Sequence, residues 1–372
     1  MKQIRNLILL FVLIISQLNN IQAQTKKTGP VRVVVVGITH GHVSWILGRA
    51  AKNDIELVGI YEPNKLIAEK NALKYHLPAS LFYNNLAEVL DQKKPEAVLA
   101  FGSIKEHLMA VKAAAPRGIH IMVEKPLAAS LADALEMQLI AKKNHVLLLT
   151  NFETSWYPST YETFRMIKDS NYVGQIRKVV FHHGHQGPKE IGVSDEFANW
   201  LTDPIQNGGG AIVDFGCYGA NLITYLMNGQ MPLSVTAVTN QFKPKLYPKV
   251  DDDATIIVNY PKTQAIIQGS WNWTFSRKDM EVYGDSAYII AVNANKMHLR
   301  NKESLPEYEK TITDKDIHVF TDPFSYLHAV LRGTEILAPF GLYTIENNIM
   351  VNRILEAAKT SAKTGKTFYF KQ

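Results

Sequence analysis

The chain holds a single cysteine, Cys217, among 372 residues. One thiol cannot close an internal disulfide and supplies too few ligands for a cysteine-based zinc site, so the fold must rest on its apolar core. Blocks of like charge are also missing. The 40 lysines and arginines exceed the 34 aspartates and glutamates by six, and the excess is spread along the sequence. No basic stripe interleaved with aromatics is present, which argues against nucleic acid as a partner. Low-complexity tracts and internal repeats are absent as well. The most apolar run, LILLFVLIIS at residues 7–16, is about half the ~20 residues that a membrane helix needs.

That run has its own meaning. It follows the positively charged MKQIRN and precedes a small residue, Ala23, which together read as a secretory signal peptide over residues 1–23. No arginine pair marks a route for folded export, and no cysteine follows the run to carry a lipid. The expectation is a mature chain that starts near Gln24, has no membrane span, and works in the periplasm or outside the cell. Its 46% hydrophobic and 20% charged residues describe a globular protein, and its length suits two domains.

Residues 31–150 alternate short apolar runs with stretches of helical spacing. VRVVVVG, IELVGIYE, AVLAFG, IHIMVE and VLLLTN read as strands, with helices expected at 42–52, 64–75 and in LAEVLDQ, KEHLMAVKAAAP and LADALEMQLIAKK. This pattern predicts an α/β unit, a doubly wound parallel sheet of the Rossmann type. Over residues 151–372 the rhythm changes. A helix at YETFRMIKDS is followed by IRKVVFHHGHQ, a helix at 211–227, and then SVTAVTN, ATIIVNY, AIIQGSWNWTF, KDMEVYGD and AYIIAV. Strands without intervening helices predict an α+β domain with a large open, mixed or antiparallel sheet.

A dinucleotide-binding turn needs three glycines: one for the bend, one where backbone meets pyrophosphate, one where helix packs on strand. In VRVVVVGITHGHV, Gly37 takes the first place, Thr39 the second and His42 the third, with Gly41 one position early. Helix N–H groups and the Thr39 hydroxyl can still face a phosphate. His40 and His42 either touch that phosphate, line the cleft, or pack. Glu62, ending the second strand, stands where a carboxylate accepts ribose hydroxyls. It would repel a 2'-phosphate, so NAD is expected over NADP.

IHIMVEKPLAAS ends an apolar strand in Glu124-Lys125-Pro126. This resembles the signature of the glucose-fructose oxidoreductase and inositol dehydrogenase family, Gfo/Idh/MocA. AVLAFGSIKEHLMAVKAA, NFETSWYPSTYETF, NGGGAIVDFGCYGANLITYL, EVYGDSAYI and ILEAAKTSAKTGKTF are similar to the family's other segments in order and spacing, so the likeness runs over about residues 31–370. It implies an oxidoreductase that acts on CH–OH groups of sugars through a nicotinamide cofactor. Its catalytic lysine would be Lys125 and its aspartate Asp214. The family's histidine one helical turn later is Tyr218 here, and its frequent aspartate after that is Asn221. Tyrosine there resembles the sugar oxidoreductase and dihydrodiol dehydrogenase branches. On the cofactor side the resemblance adds Ser103, His107 and Glu124. It also implies a homo-dimer or homo-tetramer.

A lysine ammonium cannot accept a proton, so a base at Lys125 requires a lowered pKa. Partial desolvation and a positive nicotinamide ring would supply that, and Asp214 would oppose it if close. Asp214 is therefore expected to orient Lys125 or the substrate hydroxyls, or else to cap its helix. At four residues' spacing it shares a helix face with Tyr218. HHGH at 182–185 raises a metal reading, since His183 and His185 share a strand face, but no third ligand follows at a telling distance. Hydrogen bonding to sugar is expected instead, with no metal. Asn151, Trp156, Tyr157 and Trp200 join them as substrate contacts, the aromatics by stacking, whereas Trp271 and Trp273 are expected to pack a core or a subunit interface. Three functions remain open: a sugar or glycoside oxidoreductase with tightly held NAD, an NAD-dependent redox-neutral glycoside hydrolase passing through a 3-keto sugar, and a cofactor-free sugar-binding protein.

Overall fold

The computed structural model describes residues 28–371, so the expected signal peptide at 1–23 lies outside the described residues. The valines of Val31–Val36 (β1) alternate between two interiors. Val33 and Val35 join one apolar cluster, Val34 and Val36 another. A strand buried on both faces has no use for polar alternation, which is why its sequence is an unbroken β-branched run. Around it lie Ile55–Tyr61 (β2), Phe82–Tyr83 (β3), Ala97–Ala100 (β4), His120–Glu124 (β5) and Leu148–Asn151 (β6). All pair in parallel, in the order β3-β2-β1-β4-β5-β6. The order reverses at β1, where β1 neighbours both β2 and β4, and such a reversal opens a crevice at the carboxyl ends of the strands.

The second sheet has nine strands: Ile176–Gly184 (β7), Ser234–Asn240 (β8), Asp253–Asn259 (β9), Gln264–Ser270 (β10), Arg277–Gly284 (β11), Tyr288–Ala291 (β12), Lys296–Arg300 (β13), Tyr308–Thr311 (β14) and Phe368–Tyr369 (β15). Their order is β14-β13-β12-β11-β7-β10-β9-β8-β15, with β7 and β10 the parallel pair. β9 and β10 alternate buried and half-buried residues, so one face packs inward and the other stays open. Helices Gly216–Leu226 and Ile345–Thr364 pack together, the first also against β7 and β10 and the second against β8. The closing helix reaches the first sheet too, through helix Leu131–Lys143 and β6. The apolar cluster holding Val33 and Val35 runs on without a break into Phe181, Ile256 and Ile267 of the second sheet.

Three expected elements come out differently. The helix expected at 42–52 is a single tight turn, Gly41–Val43, followed by Ser44–Leu47. The helix expected at 211–227 is broken at Phe215 into Ala211–Asp214 and Gly216–Leu226. The strand expected to run through SWNWTF stops at Ser270. The Trp271 ring turns into the core, where it is fully buried, in agreement with one of its expected roles.

Candidate active site

The chain leaves β1 at Gly37 with a φ of +72°, in the left-handed region that favours glycine. A Cβ there would come within 2.8 Å of the Gly102 backbone, so the ends of β1 and β4 approach as closely as they do because Gly37 lacks a side chain. Beyond the turn, His40 Nδ1 accepts the main-chain N–H of His42 at 3.0 Å, which leaves the imidazole proton on Nε2. His42 Nδ1 lies 2.9 Å from Glu124 Oε2. Glu124 Oε1 accepts from Asn151 Nδ2 at 2.7 Å, and Asn151 Oδ1 accepts from Trp156 Nε1 at 3.0 Å. Trp45 stacks on His42 at 3.6 Å and meets Trp156 edge-on. One chain of contacts thus ties together the carboxyl ends of β1, β5 and β6.

Both histidines are held well below the ordinary imidazole range, first by burial; His42 is pushed further by Lys125 and Lys278, His40 by His42. They are neutral hydrogen-bonding groups at physiological pH. His40, His42 and Glu124 bring donor atoms within 4.8 Å of one another, yet each is already committed to this network. His182, with Asp279 and Glu281, makes a second such group, in which Asp279 is gripped at both oxygens by Arg277.

Glu62 is buried at the end of β2. Oε2 accepts the Ile38 N–H at 3.3 Å and Oε1 the Asn64 N–H at 2.9 Å, which joins this carboxylate to the β1 turn; burial pushes its pKa up. A cavity of about 540 Å³ opens beside it, lined by Pro63, Phe82 and Tyr83 among others. Ser103 Oγ donates to Gln206 at 2.9 Å, and its N–H is taken by Glu106 in a capping box. His107 is fully enclosed, with Nδ1 3.1 Å from the Leu127 carbonyl, and burial lowers its pKa to about 4. It supports the backbone that follows Lys125 rather than facing open space. Thr39 Oγ1 accepts from Trp200 Nε1 at 3.1 Å, and Phe197 packs on His40. Helix Asp195–Leu201 of the second half therefore covers the glycine turn, and Trp200 stands there as a clasp on that turn, not as the free stacking surface expected.

Lys125 follows β5 directly and is almost fully buried. Its Nζ forms an ion pair with Asp214 and lies 3.2 Å from the Asp214 carbonyl. The other Asp214 oxygen accepts from Trp271 Nε1 at 2.9 Å. The lowered pKa expected for Lys125 is not what this geometry gives. Burial is the largest single influence and pulls it down, but the charge and hydrogen bond of Asp214, with Cys217 and Glu124, together hold it above its ordinary value of 10.5. Asp214 is depressed in turn: burial alone would raise it, but the charge and hydrogen bond of Lys125, with His185 and Trp271, together bring it below its ordinary value. Asp214 is not a helix cap. It ends the short helix Ala211–Asp214, whose start is held by Asp251 accepting the N–H groups of Gly210 and Ile212 at 2.9 and 2.7 Å.

Tyr218 is buried, and the Lys125 ammonium lies 5.3 Å from its ring centroid. A second ammonium, Lys278 on β11, lies 5.4 Å from the same centroid. Lys278 pairs with Glu153, which also accepts the Tyr157 hydroxyl at 2.6 Å. Neither Lys278 nor Glu153 stands out in the sequence. The only signal is that Glu153 follows a strand at the ligand edge of the first sheet. Lys278, Glu153, Tyr157 and His185 line a cleft of about 630 Å³. His185, just past β7, faces this cleft. His183 does not: it is enclosed between Phe181 and Tyr218 with both ring nitrogens unpartnered, and burial lowers its pKa to about 3. Strand alternation turns it into the core. Asn151 and Trp156 likewise serve Glu124 rather than standing free.

Residues 31–152 match the family described as "Oxidoreductase family, NAD-binding Rossmann fold", and residues 161–290 the "GFO/IDH/MocA C-terminal domain". Among curated proteins, the trans-1,2-dihydrobenzene-1,2-diol dehydrogenases of Xenopus tropicalis and Bos taurus are 28% and 24% identical. Those matches cover 58% and 62% of this chain, and less than two thirds of the relatives, 61% and 64%. Among solved structures, an inositol dehydrogenase homolog from Azotobacter vinelandii complexed with NAD+ superposes with a TM-score of 0.78. It is 18% identical over 92% of this chain and 97% of that one. Aldose-aldose oxidoreductase from Caulobacter crescentus, complexed with glycerol, gives 0.74 at 19% identity over 92% and 100%. With both halves matched, on a fold that these structures share, the chain belongs to the Gfo/Idh/MocA family of NAD-binding oxidoreductases.

Proposed function

We propose that the chain is an exported oxidoreductase that works on a hydroxyl or ketone of a sugar or glycoside with a tightly held NAD. The observation that carries this reading is the place of Lys125: it directly follows β5 at the ligand edge of the parallel sheet, against the Tyr218 ring that also meets Lys278 in the wall of a cleft of sugar-binding size. The residues present fit the cofactor. Gly37 permits the close β1–β4 approach, the carboxylate of Glu62 stands where ribose hydroxyls are recognised, and the cavity beside it suits an adenosine. Bound NAD would supply the hydride acceptor and, when oxidised, a positive charge that weakens the hold of Lys125 on its proton.

The chain's own groups then divide the work. Lys125 delivers a proton to the carbonyl oxygen in reduction, the direction for which its charged form is ready; in oxidation it takes the hydroxyl proton once its own has been lost. Asp214, anchored by Trp271, aims the ammonium. The Tyr218 phenol is pushed well above its ordinary pKa, first by burial and then by Glu153, so it stays protonated and acts through hydrogen bonds rather than by giving up its proton. Tight retention suits a protein whose N-terminal sequence reads as a signal peptide, since free nicotinamide cofactor would be scarce outside the cytoplasm, and the Phe197–Trp200 clasp over the glycine turn supports it.

Mass spectrometry of the purified mature protein under denaturing conditions should release NAD, and adding sugars should raise absorbance at 340 nm. A protein that neither carries nor binds a dinucleotide and oxidises no sugar would overturn the proposal.

A further inference from the structure

Lys278 has no part in the Lys125 proton path, yet it lies in the same small space. β11 pairs antiparallel with β7 and sets Lys278 opposite His183, so its side chain leaves the inner face of the sheet toward Tyr218. Its charge is felt both at His42 in the glycine turn and at His185 past β7. The two lysines differ in one respect. Lys125 keeps 7% of its side chain exposed, Lys278 keeps 24%, and Lys278 together with Glu153 forms part of the cleft wall.

An ammonium carries three N–H donors. Glu153 is the one hydrogen-bonding side chain that engages Lys278 among the described residues. Glu153 in turn is held in place by the Tyr157 hydroxyl, yet each of its oxygens retains a lone pair. The cleft therefore presents a positioned donor beside a positioned acceptor, near the same Tyr218 ring that the Lys125 ammonium meets. A single hydroxyl at Lys125 does not use this pair. A second hydroxyl, on a neighbouring carbon of the same ring, can both accept from Lys278 and donate to Glu153.

We propose that Lys278, positioned by Glu153, is a specificity-determining residue that grips a hydroxyl next to the reacting one and so selects cyclic vicinal diols over simple alcohols. This rests on the proposed function above, because it presupposes that Lys125 marks the reacting hydroxyl.

The test uses the full mature chain loaded with NAD and follows absorbance at 340 nm. The probes are myo-inositol, D-glucose, D-xylose and trans-1,2-cyclohexanediol, each compared with cyclohexanol. The wild-type protein should reduce its NAD with at least one diol and discriminate against cyclohexanol. Lys278→Met should raise KM for that diol about tenfold or more, as expected for a lost charged hydrogen bond, with kcat changed less than about threefold. The preference for diol over cyclohexanol should shrink by the same factor. Lys278→Arg should recover most of it, and Glu153→Gln should give a smaller loss of the same kind, which covers the case of a Met variant that folds poorly. If no diol reduces the cofactor in the wild type, the parent reading fails and this one with it. If diols are turned over but both Lys278→Met and Glu153→Gln keep the wild-type KM and preference, the assignment of Lys278 alone is overturned.

Discussion

Two ion pairs flank the Tyr218 ring, and they differ in what surrounds them. Lys125–Asp214 is enclosed, its aspartate further tied to Trp271. Lys278–Glu153 has about a quarter of each side chain exposed in the cleft wall. Burying two charges is costly unless they are paired, and losing one partner then strands the other. A half-buried pair is worth less to stability and is freer to trade its partners for a ligand's. Two lysine–carboxylate pairs therefore do different work: the enclosed pair fixes one proton at one place, and the open pair offers hydrogen bonds. Dehydration, not residue identity, separates a proton-transfer site from a recognition site here.

The sharpest way to break the contrast is to remove the enclosed lysine. Lys125→Ala should cut the rate of NAD reduction by the bound sugar about 10³-fold, within the range of general acid–base catalysis, while mass spectrometry still finds the dinucleotide. An equal loss from Lys278→Met in single-turnover measurements would abolish the distinction.

Next comes Asp214→Asn, which leaves the Lys125 ammonium buried and unpaired. Thermal unfolding should show a loss of about 3–5 kcal/mol at neutral pH. The pH dependence follows from the directions of the two shifts. Lys125 is raised above 10.5, so its contribution is complete below that pH and disappears as pH climbs through its folded value. Asp214 is depressed below 3.8, so its contribution is complete above that pH and disappears as pH falls through its folded value. Between these limits the wild-type pair should be insensitive to pH. In the Asn variant, burial acts on Lys125 with its main opposing charge removed, and the pH at which oxidation sets in should move to lower values in a pH–rate profile.

Glu62→Ala should weaken NAD binding about tenfold by calorimetry, through loss of the ribose acceptor and of two main-chain hydrogen bonds, without touching either lysine pair. The smallest effect should come from Glu153→Gln in the unliganded protein, about 1 kcal/mol in denaturant unfolding, because its lysine keeps part of its exposure to water. A loss as large as that of Asp214→Asn would show the open pair to be structural.

How far these features could be read in advance varied with how local they were. The unbroken valines of β1, the order of strand and helix up to Asn151, and the strand end at Glu124-Lys125-Pro126 each state their role within a few residues. Periodicity and the ligand-edge rule therefore located the first sheet and Lys125 directly. The 42–52 region misled because its apolar residues run on past a turn that ends at Gly48, and 211–227 because helical spacing continues through the break at Phe215. Strand parity placed His183 and His185 on one face but could not show that the helix bearing Tyr218 lies over His183, sealing one imidazole and leaving the other at the cleft.

By itself the sequence determined the two sheets, the family, and the residue types at the carboxyl edge of the first, because hydrophobic period and turn chemistry act over short stretches of chain. Only the tertiary structure decided which charges meet. Lys125 and Asp214 lie 89 positions apart, and Lys278 and Glu153 lie 125 apart. Their protonation depends on neighbours and on lost water, neither of which is written in the local sequence. That is why a lysine expected to have lost its hold on a proton proves, beside Asp214, to grip it more firmly.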